Sequence, residues 1–315
     1  MQFRTQIPIS KSNHSIDYNS KLVSLGSCFA VNIGEKFEYF KFQNTINPFG
    51  IIFNPVSIEK IIRRVVEKRL FTEKDIFFFN DRWHCFEVHS ELSSSDKESF
   101  IIKLNQIIEQ FYLQISEATH FIITYGTSWV YREKEHFEIV ANCHKIPQKQ
   151  FDKDLLSLET IERAIHNTIG LIQKINPTCT FIFTISPVRH IKDGFVENQI
   201  SKAHLISALH SSISQLPTST YFPSYEIMMD DLRDYRFYAE DMLHPNQTAI
   251  DYIWKLFAEA HFSAETFSTK NAIENIQKSL NHRPFDPNGK DHQKFLSQLQ
   301  DKIKSVEEKF PHIRF

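Results

Sequence analysis

The chain has 315 residues, 41% hydrophobic and 23% charged, with 36 basic side chains against 38 acidic ones and a net charge of −2. That composition suits a globular protein with a real core, and the lack of a long Lys/Arg run argues against nucleic acid or an anionic membrane as the main partner. No stretch reaches the ~18 apolar residues of a membrane span or has the form of a signal peptide. Four cysteines are too sparse for a disulfide framework, so the expectation is a reduced, cytoplasmic protein.

In chain order, Lys21–Leu25 reads as a strand, followed by Gly26-Ser27-Cys28 and a helix over Phe29–Phe40. Phe42–Asn47 is extended and ends in the breaker Asn47-Pro48-Phe49-Gly50. A helix follows from Pro55, placed where proline favours a helix start. "DIFFFNDRWHCFEVH" reads as a hairpin turning at Asn80-Asp81. The next helix has Ser95 and Glu98 as a capping box, with Ile101, Leu104, Ile108, Phe111 and Ile115 on one face. "THFIITYGT" and "CTFIFTISP" are buried strands separated by a helix over Leu158–Ile175, which Asn176-Pro177 terminates. A helix near Asn198–Gln215, a strand "TYFPSYEIMM" with Pro223 at a sheet edge, and a helix over Asn246–His261 complete the alternation. Strands alternating with helices predict an α/β fold, a doubly wound parallel sheet with helices on both faces. Past His261 the texture is polar and helical, broken at Pro284, Pro287 and Gly289. The expected division is a main domain over residues 1–261 and a helical extension over 262–315.

In open α/β sheets ligands bind beyond the carboxyl ends of strands, where helix N-termini favour negative charge. Ser27 stands at such an end, and a serine nucleophile there needs a histidine base oriented by a carboxylate. Two of the 15 histidines have an Asp three residues earlier, His84 after Asp81 and His244 after Asp241. His84 falls on the hairpin, whereas Asp241 and His244 fall in a loop between the last strand and the last helix of the alternation. The competing reading of Ser27 is a simple helix cap. Cys28 is the rival nucleophile, since a helix N-terminus also lowers a thiol pKa. His84/Cys85 and Cys143/His144, with His89, match no zinc spacing, so no metal or cofactor is expected. Arg189 and His190 follow another strand end and are candidate crevice residues, as are Lys202 and Glu226.

Gly26 to Ala30 spell "GSCFA", the sequence after which the GSCFA family is named, and "NPFGIIFNP", "TYGTSWVY", "ANCHKIP", "ISPVRH" and "DMLHPN" also fit it. Over about Leu22–Phe257 the chain resembles that family, which is similar to the SGNH or GDSL-type hydrolases. The resemblance implies a flavodoxin-like, three-layer α/β/α sheet. It matches Ser27 to the nucleophile, Asp241 to the orienting acid and His244 to the general base. An SGNH oxyanion hole uses the serine amide, a glycine amide matched by Gly50, and an asparagine. Here Ser128 of "GTSW" occupies the asparagine's place, leaving Ser128, Thr127 or Asn142 as substitutes. The implied activity is hydrolysis of a small O-acyl ester, in the wider group often a carbohydrate ester. The alternatives are O-acyl transfer by the same serine, or ligand binding without competent catalysis.

Overall fold

Short runs of Ile, Phe, Val and Thr supply the strands, and amphipathic segments between them supply the helices that cover both sheet faces. The structure, a computed structural model, describes residues 4–287 and 289–315. The chain begins β1 (Lys21–Gly26), α1 (Cys28–Tyr39), β2 (Gln43–Ile46) and α2 (Pro55–Val66). A hairpin of β3 (Phe77–Phe79) and β4 (Arg82–His84) precedes α3 (Lys97–Glu117) and β5 (His120–Tyr125). Next comes an antiparallel set, β6 (Trp129–Glu133), β7 (Ile139–Val140) and β8 (Phe151–Leu155), and then α4 (Leu158–Ile175) and β9 (Thr180–Ile185). The remainder is α5 (Phe195–Ile213), β10 (Ser219–Phe222), a short turn α6 (Ser224–Glu226), α7 (Gln247–His261), α8 (Ala264–Leu280) and α9 (Lys290–Lys309).

The central sheet is parallel throughout, in the order β2-β1-β5-β9-β10. That is the flavodoxin-like order, in which the crevice opens where the winding reverses, here between β1 and β5. Every residue of β5 and of β9 is buried, as expected for strands covered on both faces. Their alternation sorts them between two cores. Phe121, Ile123, Phe181 and Phe183 pack with α2 to α5, while Ile122 and Ile182 pack with α1 and α7.

Three local expectations are corrected. The cap of α3 is Asp96, not Ser95: its Oδ1 accepts the Ser99 amide at 2.6 Å, one residue later than the capping-box register. The last strand stops at Phe222, before Pro223. Beyond it the Ser224 hydroxyl donates to the Ile185 carbonyl at 2.7 Å, which turns the chain into the sheet end instead of along its edge. The antiparallel set β6–β8 lies in a span for which sequence spacing gives no element. The hairpin at Asn80-Asp81 is present, with both residues at positive φ (46° and 59°), the geometry of a tight hairpin turn.

Helices α8 and α9 share a hydrophobic core with α1 and α7. Ile273, Ile276, Leu299, Val306 and Ile313 are buried together with Tyr18, Phe37 and Phe42.

Candidate active site

Strand β1 ends at Gly26 with φ +130°, and a Cβ there would sit 2.1 Å from the Thr124 carbonyl oxygen. Only glycine fits between β1 and β5 at this point. The Gly26 amide donates to Asn47 Oδ1 at 2.8 Å, which ties the ends of β1 and β2. Ser27 is the N-cap of α1: its Oγ accepts the Phe29 amide at 3.3 Å, and it is 1% exposed.

The second element is the loop before α7. Asp241 Oδ1 accepts the amides of Leu243 and His244, both at 2.9 Å, and Oδ2 accepts from His244 Nδ1 at 2.5 Å. The two amides and the imidazole hold the Asp241 carboxyl down at about 2, so it is ionised and fixes the tautomer that leaves Nε2 as an acceptor. The His244 side chain is half exposed. Arg189 braces this loop: its Nη2 donates to the Met242 carbonyl at 2.9 Å and its guanidinium lies 5.1 Å from the Tyr238 ring centre. Met242 has φ 59°, a left-handed conformation for a non-glycine residue. His190 stacks on Phe53 with ring centres 5.7 Å apart, and burial, with Lys202 nearby, pushes its imidazole down to about 4.

Lys202 of α5 lies fully inside. Its Nζ donates to the carbonyls of Gly126 at 2.7 Å and Ser186 at 2.8 Å, the residues just past β5 and β9. Burial lowers its pKa to about 7. The Tyr221 hydroxyl donates to the Glu226 carboxylate, lying 2.8 and 2.9 Å from its two oxygens, and Glu226 is not on the wall of the cavity beside His244.

A cavity of about 470 Å³ opens beside His244, lined among others by Phe53, Trp129, Val140, Val188 and Leu243. Thr127, Asn142, Arg189 and His190 also stand on its wall, whereas Ser27 does not. The strands β6 and β7 supply one side of it. The consecutive aromatic and β-branched residues Trp129, Val130 and Tyr131 were the available sequence signal for this wall. A larger cavity of about 590 Å³ lies on the other side of β7 around Arg64. Arg64 is paired with Asp75 at 2.7 Å and Glu87 at 2.6 Å, so its charge is already satisfied within the fold.

The expected oxyanion donors divide. The Ser27 amide donates to the Thr124 carbonyl at 3.1 Å and the Gly50 amide to the Asn47 carbonyl at 2.7 Å, so neither is free in this structure. Gly50 serves its turn instead, with φ +75° and no room for a Cβ against His89. Ser128 is fully buried and faces α5: its amide donates to Ser201 Oγ at 2.8 Å and its hydroxyl to the Ser201 carbonyl at 3.1 Å. Thr127 and Asn142 remain on the cavity wall. The His144 amide donates to Asn142 Oδ1 at 2.8 Å, which orients the side chain and leaves Nδ2 unclaimed by any acceptor among the described residues.

Burial raises the Cys28 thiol pKa, against the pull of the Phe29 amide and Lys202, and the charge of Asp241 raises it a little further. The helix terminus therefore does not activate this thiol. Among the candidate zinc ligands, both His84 nitrogens are engaged, with Ser93 Oγ at 2.7 Å and the Phe79 carbonyl at 2.9 Å. His144 Nε2 is held by the Cys85 carbonyl at 2.7 Å.

No curated protein matches the chain. The model of the GSCFA family matches residues 21–257, the span that carries the parallel sheet, Ser27, Asp241 and His244. A second model, the GSCFA domain protein, C-terminal domain, matches residues 273–315, the last two turns of α8 and all of α9. With three quarters of its length matched by the first model alone, the chain belongs to the GSCFA family.

Proposed function

We propose that the protein is a serine esterase acting on an O-acyl ester through Ser27, His244 and Asp241. The observation that carries this reading is the His244–Asp241 pair. A carboxylate held ionised at 2.5 Å from Nδ1 prepares Nε2 to take a proton. In the mechanism the Ser27 hydroxyl gives its proton to His244 Nε2 as Oγ attacks the ester carbonyl. The tetrahedral oxyanion is held by Asn142 Nδ2 on the cavity wall. The imidazolium then protonates the leaving alcohol. Water, activated by His244, releases the acid from the acyl-enzyme.

Ser27 must leave its capping bond to Phe29 and turn toward the cavity before it can attack. That requirement favours a second reading, ligand binding without turnover, because Ser27 is buried and off the cavity wall. Intact mass after treatment with a fluorophosphonate probe separates the two. One adduct on the wild type, absent from Ser27→Ala and His244→Ala, supports the esterase. A folded wild type that takes no adduct supports the binding protein. An acyl-enzyme formed from an ester substrate that outlives water but collapses when an acceptor alcohol is added would make the same serine an O-acyltransferase.

A further inference from the structure

We propose that the cavity beside His244 receives an apolar acyl group longer than acetyl, with β6 and β7 as its specificity wall. The proposal rests on the esterase reading for its placement of the carbonyl, and on the cavity itself for the rest.

The wall is apolar where no chemistry is needed: Phe53, Val188 and Leu243 on one side, Trp129, Val140 and Ala141 on the other. Several of its polar groups are engaged within the fold, while Arg189 Nε and His190 Nε2 are buried without a hydrogen-bond partner among the described residues. The Trp129 ring nitrogen donates to the Glu197 carbonyl at 3.1 Å, and Arg189 is held by the Met242 carbonyl and the Tyr238 ring. Asp193 pairs with Lys153, whose ammonium lies 5.0 Å from the Trp129 ring centre and 5.7 Å from that of Tyr131. The lining carboxylate, Asp193, is thus paired and offers nothing to an amine, and the lining ammonium of Lys192 stands exposed to solvent.

Volume points the same way. About 470 Å³ falls within the range that encloses a drug-sized ligand, and an acetyl group would leave most of it empty. The placement of His244 decides which half of the ester goes in. His244 must protonate the leaving alcohol and is half exposed at the mouth, so the alcohol departs toward solvent and the acyl chain points inward. Phe195 and Val196, two and three residues beyond Asp193, are each about two-thirds exposed (65% and 66%), and Met242 is 47% exposed.

The test compares p-nitrophenyl acetate, butyrate and octanoate on the wild type, Ala141→Phe and Tyr131→Glu. Tyr131→Glu is the second variant because Tyr131 is only partly buried, whereas Ala141 is buried and its enlargement strains the fold. The expected kcat/KM rises about fourfold per methylene buried, and both variants flatten that rise. A separate arm titrates decanoate into Ser27→Ala and reads Trp129 fluorescence, with Trp129→Phe as the control. Saturable binding, weakened at least tenfold by Tyr131→Glu, is expected. A flat chain-length series in an active enzyme overturns the acyl cavity and leaves the esterase standing. Decanoate binding without hydrolysis of any ester supports the cavity and removes the esterase. Neither binding nor chain-length preference overturns the proposal.

Discussion

Asp241 does two jobs that a substitution can separate. One oxygen caps the amides of Leu243 and His244, and the other faces His244 Nδ1. In Asp241→Asn the amide oxygen can keep the cap, but the amide nitrogen then faces Nδ1 and forces the ring to carry its proton on Nε2. The base is lost with the loop intact. We expect kcat on a p-nitrophenyl ester to fall about 10³- to 10⁴-fold with unchanged circular dichroism. Asp241→Ala also removes the cap and should lower stability as well. Since the carboxyl is held at about 2 against an ordinary 3.8, its stabilising contribution is present above pH 3.8 and is lost only as pH falls toward 2. In the proposed mechanism Ser27 also has two roles. Its capping bond is worth about 0.5–2 kcal/mol, so Ser27→Ala should lose that much stability in urea unfolding while losing all probe labelling. A loss of labelling with global unfolding would leave the nucleophile assignment unsupported.

At the scale of elements, Lys202 joins what the sheet order brings close. Helix α5 delivers one ammonium to the carbonyls that end β5 and β9, the two strands whose following loops carry Thr127 and Arg189. Its pKa is depressed to about 7 from 10.5 by burial. Between those values the unfolded chain holds a proton that the folded protein does not, so stability from this group rises with pH from about 7 to 10.5. Below pH 7 both states are protonated and the full cost of burying the charge remains. Unfolding free energies from pH 6 to 10 should therefore rise more for wild type than for Lys202→Met, by about 1.4 kcal/mol per pH unit in that window at most. Equal slopes would show that the two carbonyls keep the ammonium charged throughout. Sequence alone placed Lys202 near the crevice but not beneath it, because nothing in "NQISKAHL" marks which face of α5 meets the sheet. The same limit hid β6 to β8. "WVYRE" does not alternate and "FDKDL" buries little beyond Phe151, and short half-solvated strands carry a weak periodic signal. β5 and β9 were legible because burial on both faces leaves no polar side chain but threonine and an N-terminal histidine in six residues. Asp241-x-x-His244 was legible as a spacing, whereas the capture of the Ser27 and Gly50 amides by nearby carbonyls depends on backbone geometry that no side chain announces.

At the scale of the molecule, the C-terminal helices attach to the edge of the sheet away from the chemistry. In a parallel βαβ unit the helix runs back from the carboxyl edge to the amino edge, so Ser27 and residues 39–42 stand at opposite ends of α1. The tail meets the latter. Gln277 donates to the Tyr39 carbonyl at 2.9 Å, Lys270 lies 4.3 Å from the Phe40 ring centre, and Lys41 lies 5.5 Å from that of Phe315. Tyr18 stacks on Phe42 at 4.3 Å and meets Phe310 at 5.2 Å. These contacts make α8 and α9 a cover for the amino edge and for α1 and α7, not a lid over the cavity. Ile313 is 1% exposed in that core, and its truncation to alanine leaves a cavity, at a cost of about 2–5 kcal/mol. We expect Ile313→Ala to lower the urea midpoint while kcat and KM of the folded enzyme stay at wild-type values. A variant that unfolds normally but loses turnover or shifts its acyl-chain preference would mean that the tail reaches the crevice through α1. In that case the helix whose first residue follows Ser27 would couple the two edges of the sheet.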